Sequence, residues 1–172
     1  RWPRYMLFSL FAKLPENLRM DKELRRWKRS VDNLTKSKKQ KLPEFLRSYQ
    51  ESGVRWLANL AAHDCHGILA DEMGLGKSMQ AISSLRLLVH SGQVRSVLVI
   101  CPKGLVSNWA RELSVWAPEL AVGVIAGDPE RRRWQWSLQD VPVKVAHYEA
   151  VIRDRPILDE MRAEFDLVIL DE

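Results

Sequence analysis

Five short runs of aliphatic and β-branched residues, GILA at 67–70, VLVI at 97–100, VGVIA at 122–126, VKVA at 143–146 and DLVIL at 166–170, alternate with stretches of helical period. Runs this short and this continuously apolar predict strands buried on both faces. Their alternation with helices predicts an α/β fold, a parallel sheet covered by helices on both sides. Helical period is read in LRSYQESGVRWLANLAA, in MQAISSLRLLVH, near NWARELSVWA, after the cap signal Asp128-Pro129-Glu130, and between VKVA and DLVIL. Ligands on such sheets bind beyond the carboxyl ends of the strands, so chemistry is sought in the turns that follow each run.

The first of those turns is DEMGLGKS, residues 71–78. It matches the phosphate-gripping pattern G-x-x-x-x-G-K-[ST] except that Asp71 holds the first glycine position. Gly74 and Gly76 can adopt backbone angles that aim successive N–H groups inward, and neither brings a Cβ to obstruct a phosphate. The helix that follows adds the positive end of its dipole. Lys77 is expected to reach the β- and γ-phosphates as a point charge, and the Ser78 hydroxyl to ligate Mg²⁺. The loop residues Asp71, Glu72, Met73, Gly74, Leu75, Gly76, Lys77, Ser78 and Met79 together form the expected cofactor-binding stretch. Taken alone, the same residues also fit a tight strand-to-helix turn with a solvated lysine.

DLVILDE supplies a second piece, an apolar strand ending in Asp171 and Glu172. Asp171 is the candidate metal ligand. Glu172 is the candidate to orient or deprotonate an attacking water, the division of labour that phosphoryl transfer requires. An apolar strand followed by acids is common, and gains specificity only beside the glycine loop.

DEMGLGKS followed by Gln80 resembles the first motif of the Snf-type ATPases, the chromatin-remodelling branch of superfamily 2 helicase-like proteins, where Asp at the loop's first position is the normal form. LRSYQESGVRWL resembles the upstream segment whose Gln reads adenine, which falls on Gln50; an amide suits that task because it donates and accepts at once. VLVICPKGLVSNWARELSVWAP resembles the family's next motif, whose turn meets the nucleic-acid backbone, and DLVILDE resembles the start of the Walker B box. The resemblance spans residues 42 to 172. It implies the first RecA-like lobe of an ATPase stimulated by double-stranded DNA, with ATP and Mg²⁺ as cofactors. Duplex DNA and DNA-bound proteins such as nucleosomes or polymerase are the implied partners, and the nucleus, or the cytoplasm and nucleoid of a bacterium, the implied location. Lys77, Asp171 and Glu172 are its implied catalytic residues, and Lys103, Asn108 and His147 its candidate nucleic-acid contacts.

The sequence departs from the family pattern in several places. Ser78 stands for the more frequent Thr and keeps the hydroxyl. Lys103 and Gly104 stand in a turn that usually ends in Ser. Ala146 and His147 precede Tyr148-Glu149 where the family usually has Ser or Thr, leaving His147 as the candidate phosphate contact. The sequence stops inside the Walker B box, before the second lobe that in this family supplies arginines to the γ-phosphate. A fragment of this extent is expected to turn over hardly at all, because such an arginine is worth ~10³ to 10⁵ in rate.

The net charge of +5 is uneven: residues 1–41 carry 13 Lys+Arg against 4 Asp+Glu, and the remainder 14 against 18. Leu24, Trp27, Val31 and Leu34 recur at helical spacing within this basic arm, and SKKQKLP at 37–43 reads as a linker to the body that begins at 42. The arm suits a polyanion, but a helix with a solvated basic face has the same composition. Cys65 and Cys101, the only cysteines, make no disulfide framework and fit a reducing intracellular compartment. Four adjacent residues, HDCH at 63–66, cannot easily converge on one metal. YMLFSLFA at 5–12 is too short to span a membrane. In RRRWQW, residues 131–136, a solvated basic face with one or two Trp packed inward is the expected arrangement, and Trp56 and Trp109 are expected to anchor the core. Two other functions fit the residues: an unrelated P-loop enzyme such as a small kinase, and a non-enzymatic docking module using the basic helices.

Overall fold

The computed structural model describes Lys22, Arg25, residues 42–62 and residues 65–172. The expected helix at 21–34, the linker and the apolar run at 5–12 otherwise lie outside the described residues, as do His63 and Asp64 of the HDCH stretch. No helix among the described residues is long and apolar enough to cross a membrane. The chain divides into two compact units, Arg1–Lys77 and Ser78–Glu172.

In the first unit, helix α1 runs from Ser48 to Ala62 and buries Gln50, Val54 and Ala58 at a spacing of four, with Leu60 buried beside them. Trp56 lies off that stripe and is exposed rather than a core anchor. Gly67 lies so close to Leu60 and Trp56 that any Cβ there would collide with both. The expected strand at GILA does not form: residues 67–70 join no ladder, and Ile68 is 85% exposed. Strand preference is chiefly packing against neighbouring strands and burial.

The second unit carries the sheet. Helix α2 (Lys77–His90) enters it from the glycine loop, followed by β1 (Val97–Cys101), a 3₁₀ turn at Lys103–Leu105, α3 (Val106–Trp116), β2 (Val122–Val124), α4 (Pro129–Ser137), β3 (Val143–His147), α5 (Tyr148–Arg153), α6 (Arg155–Met161) and β4 (Leu167–Leu170). The four strands are all parallel in the order β2-β3-β1-β4. β1 is central and buried at every residue, so both of its faces are covered, as its unbroken apolar run predicts. One face packs Leu98, Ile100, Ile125 and Ala146 against Trp136, with Tyr148, Ile157, Leu158 and Phe165 closing over them. On β4 the cover is one-sided, with Val168 47% and Leu170 66% exposed.

Local chemistry sets the connections. Asp128 caps α4 by accepting a hydrogen bond from the Arg131 N–H at 2.8 Å, and Pro129 occupies the first helical turn, where a missing N–H costs nothing. The Asp166 carboxylate accepts from the N–H groups of Arg95 and Ser96, at 2.8 and 3.1 Å, which pins the entry of β4 to the entry of β1. RRRWQW divides unexpectedly. Trp136 turns inward and Trp134 stays 61% exposed, but Arg132 is also buried. Its Nε and one terminal nitrogen both donate to Asp154 at 2.8 Å, its other terminal nitrogen donates to the Gly127 carbonyl at 2.7 Å, and Trp136 Nε1 donates to the same Asp154 at 2.9 Å. A two-pronged arginine, satisfied at three nitrogens, is the form in which a buried charge is tolerated.

α6 ends in a left-handed residue, Arg162, with φ 49° and its N–H on the carbonyl of Asp159. That conformation strains any side chain with a Cβ. Arg162→Gly is therefore expected to raise stability by about 0.5–1 kcal/mol, read from the denaturant midpoint at constant slope.

Candidate nucleotide site

In the first unit the loop is built as the two glycines predict. Gly74 has φ +84° and Gly76 φ +76°, left-handed values that favour glycine. Nothing lies within 4 Å of a Cβ placed at Gly74, so the turn and not crowding selects this residue. The Lys77 ammonium folds back over the loop and donates to the carbonyls of Asp71 at 2.9 Å and Glu72 at 3.2 Å. Met73, at 93% exposure, lies at the crest. Gln50 is 6% exposed and its amide faces the same loop: Nε2 donates to the Leu75 carbonyl and to the Tyr49 hydroxyl, each at 3.2 Å, while Oε1 accepts from the Arg47 N–H at 3.0 Å. Tyr49 also donates to Leu75, at 3.4 Å. Thus Gln50, Asp71, Glu72, Leu75 and Lys77 are gathered together, with both functions of the Gln50 amide engaged by protein.

In the second unit α2 continues through Ser78 and Met79 on its first turn. Across the sheet, parallel register brings the carboxyl ends of three strands side by side: Cys101 of β1 pairs with His147 of β3, and Ile100 with Leu170 of β4. Asp171, one residue beyond β4, is held at three points. Its N–H donates to the Ile100 carbonyl at 2.9 Å, its carbonyl accepts from the Tyr148 hydroxyl at 3.1 Å, and its Oδ2 accepts from Trp109 Nε1 at 2.7 Å. Burial, and then the Asp171 charge, push the neighbouring Cys101 thiol up to about 11, so this cysteine is no nucleophile at neutral pH. Glu172 follows at the end of the same turn and is exposed.

The candidate nucleic-acid contacts share this edge. Lys103 is exposed on the turn after β1. His147 caps α5 by accepting from the Ala150 N–H at 3.3 Å, and the same Nδ1 lies 2.7 Å from Glu149 Oε2. The His147 hydrogen bond, with nearby Lys103 contributing, holds the Glu149 carboxyl below its usual range. Asn108 spends its amide on its own helix, donating to Glu112 at 3.1 Å and accepting from Arg111 at 2.6 Å. Composition and spacing give no hint of the roles of Tyr49, Tyr148 and Trp109, because their partners lie 26, 23 and 62 residues away.

By chemistry each unit carries part of a donor set: in the first, loop amides with a lysine suit phosphate oxygens, and in the second, a serine hydroxyl and a carboxylate suit a hard cation. Comparison with known proteins identifies the family. The family described as the SNF2-related domain matches residues 49–172. The yeast (Saccharomyces cerevisiae) protein named ISWI chromatin-remodeling complex ATPase ISW1 is 39% identical over 132 residues, 74% of this chain and 12% of its own length. The yeast TATA-binding protein-associated factor MOT1 is 35% identical over 181 residues, 92% of this chain and 9% of its own, a span that reaches into the first 41 residues, where the sequence motifs show no resemblance. Among solved structures, the Sulfolobus solfataricus SWI2/SNF2 ATPase core in complex with dsDNA superposes with a TM-score of 0.67 at 30% identity, covering 76% of this chain and 26% of that one. The chain thus spans about a tenth of the length of these curated relatives. With a parallel sheet, a left-handed glycine loop and a family match over most of its length, this chain belongs to the SNF2-related domain family.

Proposed function

We propose that this chain is the ATP-binding first lobe of a DNA-stimulated ATPase that moves along duplex DNA and displaces or repositions proteins bound there. The observation that carries the reading is the loop of Gly74 and Gly76, which holds the Lys77 ammonium at the start of α2. In this reading the loop amides and Lys77 bind the phosphates, Ser78 and Asp171 hold Mg²⁺, and Glu172 orients the attacking water and takes its proton. Bound magnesium supplies charge neutralisation on the phosphate oxygens. Gln50 sits against the loop, where rotation of its amide away from Leu75 presents a donor and an acceptor to adenine. Lys103 and His147, on adjacent turns, contact the DNA backbone and therefore position rather than read sequence. The site of action is the nucleus in a eukaryote and the nucleoid in a bacterium.

The test is ATP hydrolysis by the full-length protein with and without duplex DNA, together with ATP and GTP affinities for it and for Gln50→Ala. Duplex DNA is expected to stimulate turnover, and Gln50→Ala to erase most of the preference for ATP, by roughly 10-fold, one hydrogen bond's worth of discrimination. No response to DNA together with equal binding of ATP and GTP would instead identify a different P-loop enzyme.

A further inference from the structure

Trp109 is 3% exposed, as a core anchor should be, but its polar edge is not idle. An indole N–H can only donate, has no tautomer and sits on a rigid ring, so once the ring is packed the donor points one way. It meets Asp171 Oδ2 at 2.7 Å, a short charge-assisted bond. The Asp171 main chain is fixed independently by Ile100 and Tyr148. Backbone and one carboxylate oxygen being held, rotation of the carboxyl group is blocked and Oδ1 is left in a set direction.

Resting on the nucleotide-site reading above, we propose that Trp109 is a positioning residue for Asp171, fixing the carboxylate so that Oδ1 is presented to the divalent cation. Groups that hydrogen-bond a metal-binding side chain from behind typically control 10- to 100-fold in metal affinity or activity. Trp109 lies on α3, one residue after Asn108, so the helix that opens with the Lys103 turn also sets the geometry of the candidate metal ligand.

Two variants separate this role from simple packing. Trp109→Phe removes the donor and some volume. Replacing Trp109 by benzothienylalanine, which has sulfur in place of the N–H, removes the donor at nearly constant shape and carries the test should the phenylalanine variant fail to fold. In the full-length protein, Mn²⁺ affinity in the presence of ATP is expected to weaken 10- to 100-fold in the benzothienyl variant, while ATP affinity in EDTA stays at the wild-type value. In the metal-free 172-residue chain, the Trp109 indole N–H resonance is expected downfield of the other six and to move upfield in Asp171→Asn. Unchanged Mn²⁺ affinity in the benzothienyl variant, or an indole resonance indifferent to Asp171→Asn, overturns the proposal. Wild-type protein that binds no ATP even in EDTA overturns the nucleotide reading itself.

Discussion

Asp154→Ala is expected to cost the second unit about 3–5 kcal/mol, because it strands a buried guanidinium and leaves the Trp136 N–H without its acceptor. Against a domain stability of roughly 5–15 kcal/mol, that approaches global unfolding. The replacement also predicts a change in acid sensitivity. Arg132 hydrogen-bonds the Asp154 carboxyl and holds it below its ordinary range, although burial pushes the other way. The folded state therefore binds this proton less readily than the unfolded chain does. The resulting stabilisation is complete above a pH of about 4, the ordinary carboxylate value, and is lost as pH falls through the depressed folded value. Chemical denaturation across this range should show a steeper acid loss in wild type than in Asp154→Ala. Equal slopes and a cost under about 1 kcal/mol would show the pair to be a surface-like contact.

Lys77→Ala is expected to weaken ATP binding by roughly 10- to 100-fold, the loss of a charged hydrogen bond worth ~1.5–3 kcal/mol, with helix content by circular dichroism unchanged. The alanine also releases the carbonyls of Asp71 and Glu72 that the ammonium now bridges, so the loop should become more susceptible to proteolysis. Calorimetric titration of ATP into both proteins decides the matter. Unchanged affinity would mean that the loop is a turn and that its lysine serves only to tie the turn together.

What the sequence makes legible is what depends on near neighbours. The cap at Asp128-Pro129, the positive φ of Gly74 and Gly76 and the burial of β1 each follow from a few consecutive residues. Two readings fail where distant contacts decide. GILA has the composition of a strand but joins no ladder, and a ladder comes only from another part of the chain. Arg132 reads as one of three solvated arginines because its partner, Asp154, lies 22 residues on. Trp109 shows a mixed outcome: its burial follows from helical period, whereas its bond to Asp171 depends on how α3 lies against the end of β4. Of the proposed nucleic-acid contacts, Lys103 and His147 fall on one sheet edge as the topology predicts, while the Asn108 amide is taken up by its own helix.

The cap formed by His147 has a consequence for which proton the ring carries. Nδ1 accepts from Ala150 only when the hydrogen of a neutral ring is on Nε2, and it then cannot donate to Glu149. That tautomer is also the one able to donate to a phosphate oxygen. The alternative, with hydrogen on Nδ1, serves the Glu149 carboxylate and gives up the cap. A polyanion arriving at this corner would favour the form with hydrogen on Nε2, and Glu149, 2.7 Å from Nδ1, would be its competitor for the ring.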